Sequence, residues 1–269
     1  MAVNLIFQKK ANWLLSLNDS RLMIKRSTLH IVRNRDQLIG AFFQPIMFLL
    51  LFTLVFGGAI SNDLPKGITY LDFLMAGIIV QTVAFGSTTT AVSICNDLQK
   101  GIIDRFRSLP MSNRAVLNGH VISDLFRNAI STSVMLITGL IIGFRSKASI
   151  LEWLYIAGIL ILFTLAFSWI IAILGVYAKS VETVQWLTFV IIFPLTFAST
   201  AFVPAQSMNH YLRIFAVNQP ISQVVESVRA LMLGSSPGNH IWLSVIWSCG
   251  MLVVAIPIAS YLFRKKTTP

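Results

Sequence analysis

Six stretches of this chain contain no Asp, Glu, Lys or Arg: residues 37–62, 73–96, 128–144, 153–178, 183–212 and 230–263. Together they take up more than half of the 269 residues. A helix needs roughly 20 predominantly apolar residues to cross the hydrocarbon of a bilayer, and these stretches run from 17 to 34 residues. The composition agrees. Hydrophobic residues make up 55% of the chain and charged ones 12%, whereas a soluble domain carries about 25% charge. The pattern predicts an all-α polytopic membrane protein with six transmembrane helices.

Punctuation places the spans at about 39–60, 71–95, 114–143, 153–177, 183–200 and 241–263. Gln44-Pro45 falls early in the first, and Gly57-Gly58 marks its exit. The second contains Gln81 and the run Ser87-Thr88-Thr89-Thr90. Small and hydroxylated residues suit close helix packing. Pro194 lies in the fifth span, and Phe202-Val203-Pro204 ends it. The segment 202–238 is too polar for an ordinary span and too apolar for a free loop. It reads as re-entrant or surface-lying, with a short helix over 221–233 stopped by Gly234. Residues 1–38 form a cytoplasmic leader in which Leu22, Ile24, Leu29, Ile31 and Val32 interleave with basic residues. That mixture suits an amphipathic helix at the membrane surface. Residues 264–269 are a short basic tail.

The net charge of +11 would suggest nucleic acid on a soluble protein. Here the basic residues sit between apolar spans, beside lipid headgroups, and no nucleic-acid partner is expected. With the amino terminus inside, sixteen Lys and Arg fall on the inner side and five on the outer. That asymmetry follows the positive-inside rule. It places both termini in the cytoplasm, with membrane lipids as partners. Arg145 and Lys147 are the weakest point of this count. The two cysteines, Cys95 and Cys249, lie in apolar spans and read as buried free thiols.

The chemistry inventory is sparse. His30, His120, His210 and His240 have no metal-ligand spacing, and no Gly-rich phosphate loop precedes Lys-Ser or Lys-Thr. No catalytic residue, metal or cofactor is expected on this chain. Asp72, Asp124, Glu152 and Glu182 all read as lying near span ends, so a midplane proton relay is missing. No span offers the buried carboxylates or guanidinium groups that a strongly charged solute would need. The polar groups the spans do offer are Gln81, Thr88, Thr89, Thr90, Ser131, Ser168 and Gln185, suited either to helix packing or to a substrate path. Phe42, Phe43, Phe48 and Phe52 supply bulky surface on the first span, for a subunit interface or for lipid.

The most informative polar segment is 97–113. Ile102, Ile103, Phe106 and Leu109 interleave with Asp104, Arg105 and Arg107, and Pro110 ends the run. A short amphipathic cytoplasmic helix fits, able to dock a soluble partner that supplies ATP hydrolysis. The same pattern also suits plain attachment to the lipid surface.

Three stretches carry a family likeness. QKGIIDRFRSLPMSNRAVL, residues 99–117, resembles the cytoplasmic loop of the membrane subunit of type-2 ABC exporters, with a Gly, then Arg-Phe, then Ser-Leu-Pro. Phe202-Val203-Pro204 with Met208 and Leu212-Arg213 is the second. Asn218-Gln219-Pro220-Ile221 with Arg229-Ala230 and Leu233-Gly234 is the third. The chain is similar over nearly its whole length to the daunorubicin-resistance type of bacterial permease. It departs at Gln219, which splits the family's Asn-Pro, and after Met208, where Pro is usual. The resemblance implies a separate ATP-binding subunit in two copies, which holds ATP and Mg. It also implies a homodimer or a heterodimer with a related permease, in the bacterial cytoplasmic membrane. Gly101, Ile102, Ile103, Asp104, Arg105, Phe106, Arg107, Leu109 and Pro110 would couple to the ATPase. The implied cargo is hydrophobic or amphiphilic and drug-like. A lipid or lipid-linked glycan carried by the same architecture is the alternative, and a proton-coupled carrier or channel is a remote one.

Overall fold

A computed structural model describes residues 35–60, 64, 67–101 and 113–267. The leader helix expected within 1–38 falls almost wholly outside them. So does the coupling run from Ile102 to Pro110, and so do the final two residues.

The chain begins with α1 (Arg35–Leu51), passes through a π-helical turn (Phe52–Phe56) and ends that rod in α2 (Gly57–Ile60). Then come α3 (Tyr70–Gly86), α4 (Thr88–Gln99), α5 (Asn113–Ile142) and α6 (Ile150–Tyr177). Next are α7 (Val181–Phe197), a 3-10 turn (Ala205–Ser207), α8 (His210–Asn218) and α9 (Pro220–Leu233). The last helix is α10 (His240–Thr267). Among the described residues, four helical stretches are long and apolar enough to cross a membrane: Tyr70–Gln99, Leu117–Ile142, Ile150–Tyr177 and His240–Thr267. The first and fifth expected spans are represented by shorter apolar helices, Phe43–Phe56 and Val181–Phe197. The structure is therefore an all-α polytopic membrane protein with four long spans rather than six of equal standing. α7 ends in the turn after Phe197, and the first rod is helical from Arg35 to Ile60.

Local chemistry explains the helix ends. The Thr69 side chain accepts from the Asp72 amide while the Asp72 carboxylate bonds back to Thr69. Ser149 and Glu152 repeat this capping box at α6. Pro220 opens α9, and Gly234, in the left-handed region at φ 66°, closes it. The helix expected over 221–233 is thus present.

α6 is the central rod. It packs against α10, α4, α5 and α9, while α3 packs against α9, α5 and α1. The main apolar core runs through Leu74, Ile78, Phe163, Phe167, Val224 and Val228. The outward faces are apolar too: Leu54, Ile141, Ile150, Trp186, Trp242 and Val253 are all exposed. Apolar faces on both sides of a helix are what a lipid solvent requires. Cys95 is buried as expected, but Cys249 is exposed, because it lies on the outward face of α10.

Two basic residues counted on the outer side are occupied by structure. Arg145 donates from Nη1 to the carbonyls of Leu140 (2.8 Å) and Phe144 (2.9 Å), capping the end of α5. Arg229 is 5% exposed. It donates to Phe73 O (3.0 Å), Thr200 O (2.7 Å) and Glu226 Oε1 (2.6 Å). Its guanidinium lies 3.6 Å from the centre of the Phe73 ring.

Two glycines set the closest helix approaches. A Cβ on Gly77 would meet Ala201 O at 2.1 Å, and one on Gly175 would meet Ala91 O at 2.5 Å. Neither obstacle is a movable side chain. Gly158 has nothing within 4 Å. Gly77→Ala and Gly175→Ala should each destabilise the purified chain by about 1–3 kcal/mol, read as a lower midpoint in thermal unfolding. Gly158→Ala should not lower it. Equal midpoints for all three would refute this packing.

Candidate functional site: a cleft at a helix break

The second expected span is one of the four long apolar stretches, Tyr70–Gln99, and it is interrupted at Ser87. α3 stops at Gly86, and α4 restarts at Thr88. Hydroxyl side chains turn back on the backbone here, with Thr82 Oγ1 donating to Ile78 O (2.7 Å) and Ser87 Oγ to Val83 O (3.1 Å). The Thr90 amide donates to Ser87 O at 3.0 Å, a tighter turn than an α-helix makes. The Gly86 carbonyl instead accepts from Arg127 of α5.

Arg127 also pairs with Asp124, one turn earlier on α5. The other Asp124 oxygen accepts from Ser168 Oγ of α6, and Ser168 Oγ lies 3.3 Å from Ser87 Oγ. Asp124 is 2% exposed and Arg127 4%. A closed polar node therefore joins α3, α4, α5 and α6. This corrects one expectation: the apolar helices do hold a buried carboxylate and guanidinium. Each neutralises the other. The signal was an Asp and an Arg three residues apart, the spacing of neighbours on one helix face.

A cleft of about 270 Å³ opens beside this node, between α1, α3, α4, α5 and α7. Gly86 makes room for Asn128 of its wall: the Asn128 Oδ1 atom lies 2.1 Å from where a Gly86 Cβ would stand. Five residues singled out in the sequence line the cleft: Gln81, Thr88, Thr89, Ser131 and Gln185. Thr90 does not line it and is buried in packing. Ser168 belongs to the node. Residues that sequence reasoning missed also line it: Gln44, Arg127 and Asn128, with Phe48 and Phe85 as aromatic wall.

Phe48 and Phe52 are half-buried against neighbouring aromatic rings. Phe52 stacks on Phe202 with centroids 4.7 Å apart, and Phe48 meets Phe197 at 6.3 Å. Phe43 is exposed. The Phe42 side chain lies outside the described residues.

Below the cleft, α4 ends at Lys100 and Gly101, the latter at φ 62°. Asp97 of α4 and His120 of α5 meet at 3.1 Å, on either side of the segment 102–112. Gln99 Nε2 donates to Lys179 O (2.7 Å) in the link between α6 and α7. Above, a second cavity of about 750 Å³ is lined by Phe73, Thr200, Arg213, Glu226, Arg229 and His240 among others. Among the described residues, no group of three or more His, Cys, Asp or Glu side chains is placed to hold a metal.

The sequence pattern of the family described as ABC-2 type transporter matches residues 19–233. The daunorubicin resistance ABC transporter permease protein DrrB1 of Streptomyces coeruleorubidus is 33% identical over 230 residues, covering 86% of this chain and 80% of that protein. The probable doxorubicin resistance ABC transporter permease protein DrrC of Mycobacterium tuberculosis is 25% identical over 263 residues, covering 94% and 93%. The inner membrane transport permease YadH of Escherichia coli is 22% identical over 225 residues, covering 81% and 83%.

The node makes a sign-specific test. Arg127→Leu leaves Asp124 charged and buried and should cost about 3–5 kcal/mol. In the double variant Asp124→Leu/Arg127→Leu the stranded charge is gone. The Gly86 carbonyl is then left unbonded and Ser168 keeps only Ser87 Oγ at 3.3 Å, together for about 1–3 kcal/mol. Thermal unfolding of the purified chain should therefore rank the double variant above the single one. The reverse ranking would show that the two side chains are not a buried pair.

Proposed function

The chain belongs to the ABC-2 type transporter family, and from that premise we propose that it carries a hydrophobic or amphiphilic, drug-like compound outward through the cleft at the α3–α4 break. It is the permease subunit of an exporter, and ATP hydrolysis takes place on a separate nucleotide-binding subunit. The observation that carries the cargo reading is the cleft itself. Its wall is aromatic and apolar at Phe48, Phe85 and Val92, and its polar groups are mostly amides and hydroxyls. Such a lining holds an amphiphile by apolar area and orients it by a few hydrogen bonds. The likeness to a daunorubicin resistance permease supports the same class.

In this reading residues 39–263 form a six-pass domain, with 1–38 as the leader and 264–269 as the tail. The rod from α1 to α2 and the helix α7 complete the count beside the four long spans. At 1.5 Å per residue α7 is about 26 Å long, near the lower limit for a span. Six passes place both termini in the cytoplasm, and the basic residues at Arg264, Lys265 and Lys266 agree with that side. The segment 97–113 couples to the ATPase through Ile102, Phe106 and Leu109, with Arg105 and Arg107 against an acidic rim. The permease dimer uses the first span and the adjoining outer part of the fifth. Exposed Phe43, Met47 and Leu54 on the first rod, and Val190, Ile191 and Phe193 on α7, provide apolar surface for it.

A lipid or lipid-linked glycan is the second reading. It is favoured by the larger upper cavity, where Arg213 and His240 lie beside the exposed apolar residues Leu212 and Phe215 of α8.

ATPase activity of the reconstituted complex separates the two. Amphiphilic antibiotics should stimulate it, and small polar solutes should not. Stimulation by native lipid extract alone would favour the second reading, and stimulation only by a highly charged solute would exclude both. In the same complex, Phe106→Ala should weaken capture of the nucleotide-binding subunit by about 1–4 kcal/mol. Unchanged capture in a pull-down, with unchanged coupled ATPase, would remove Phe106 from the contact.

A further inference from the structure

Three segments meet where α6 ends. The link 178–180 between α6 and α7 has no slack. The Ala178 amide still donates to Leu174 O (2.9 Å), and the Ser180 side chain already accepts from the Thr183 amide (3.2 Å) at the start of α7. The carbonyls of this stretch are taken by donors from elsewhere. Gln99 Nε2, on the last residue of α4, donates to Lys179 O (2.7 Å). Lys266 Nζ, in the last turn of α10, donates to Val176 O (2.5 Å) and Ala178 O (2.9 Å). The last carbonyls of a helix lack partners within it, and a cation beside them also meets the negative end of the helix dipole.

These bonds span a gap. A cavity of about 300 Å³ lies among them, lined by Cys95, Leu98 and Thr267 together with Gln99, Lys179 and Lys266. Beside it the same helices pack closely. Ile94 of α4, Trp169 and Val176 of α6 and Phe263 of α10 share one apolar core, and α4 meets α6 backbone to backbone at Ala91 and Gly175. At the gap itself, polar bonds rather than packing join the three segments. What lies on either side gives the place its weight. Gln99 stands three residues before Ile102, where the proposed coupling run begins. Gln185, a wall residue of the cleft, sits in the first turns of α7 just beyond the link.

We infer that Gln99 and Lys266 are positioning residues for transport, which make the α6–α7 link follow α4 so that movement of the coupling run shifts α7 at the cleft. Gln99 draws the link along with the end of α4. Lys266 keeps the end of α6 formed, so that the pull reaches α7 instead of unwinding α6. The inference rests on the reading of 97–113 as the coupling segment, and adds to it a sideways route that leaves α4 by a side chain.

The test is hydrogen–deuterium exchange, read by mass spectrometry, on the full complex with its nucleotide-binding subunit in lipid nanodiscs. It is run nucleotide-free and after trapping with ATP and vanadate. In the wild type, trapping should change exchange both at 102–112 and at 178–186. In Gln99→Leu and in Lys266→Met the response at 102–112 should remain, while the response at 178–186 should be lost. Lys266→Arg, which keeps N–H donors at that position, should respond at both. A purely structural role would raise exchange at 178–186 in both states and leave the difference between them intact. A retained response at 178–186 in Gln99→Leu and Lys266→Met therefore overturns the inference, and so does a wild type that responds only at 102–112. Loss of both responses in the variants overturns it too, because the damage then lies in the coupling segment itself. A wild type with no response at 102–112 would bring down the coupling reading, and the inference with it.

Discussion

A helix that ends inside a membrane leaves carbonyl oxygens with no water to bond, and much of this structure answers that constraint. Each answer is a donor side chain from a neighbouring segment. Arg127 takes the Gly86 carbonyl at the α3–α4 break. Arg229 takes Thr200 and Ala201 after α7, and Gln219 takes Leu195 (2.9 Å) and Ala198 (2.7 Å) of the same helix end. Lys266 Nζ reaches back from α10 to Val176 (2.5 Å) and Ala178 (2.9 Å) at the end of α6. The same side chains fix how the helices sit against one another, because each donor belongs to a different segment from the carbonyl it satisfies. A substitution that removes one of them loosens a helix end and an interhelical contact together.

The break at Gly86 has a second consequence. A continuous α3–α4 helix would present side chains at every turn along the face toward α5. Gly86 presents none, so Asn128 closes in on the backbone and the cleft opens beside it. The two helices that flank the proposed coupling segment, α4 and α5, also supply walls of that cleft. They are tied together near the inner end by Asp97 and His120, and higher up through Ser87, Ser168 and Asp124. In the proposed mechanism, a push at residues 102–110 therefore reaches the cleft through two clamped rods rather than through a loop. That is the form a rigid-body transmission takes.

Much of this was legible in the sequence. Charge-free runs located the apolar helices, and Gly234 marked the end of α9. The polar set Gln81, Thr88, Thr89, Ser131 and Gln185 was picked by residue type alone, and the structure places those five around one cleft. The burial of Asp124 and Arg127 was not legible. On a one-dimensional reading they border the polar loop and look like an ion pair at the inner end. Their burial is set by Ser168 and Gly86, which are 44 and 41 residues away along the chain. The burial of Arg229 was hidden for the same reason. Its partners Phe73 and Thr200 come from elements distant in sequence, so it counted as an outer topology charge. The fifth expected span, 183–200, is found as α7 at Val181–Phe197, two to three residues nearer the amino terminus.

The most direct test of the central claim is an experimental structure of the assembled transporter in lipid nanodiscs, read at Gly86. The Arg127 guanidinium should lie within hydrogen-bond distance of the Gly86 carbonyl and of Asp124, with α3 and α4 interrupted between them and the cleft open alongside. A continuous helix through residues 70–99, with the Gly86 carbonyl bonded to the Thr90 amide and Arg127 turned elsewhere, would contradict the account.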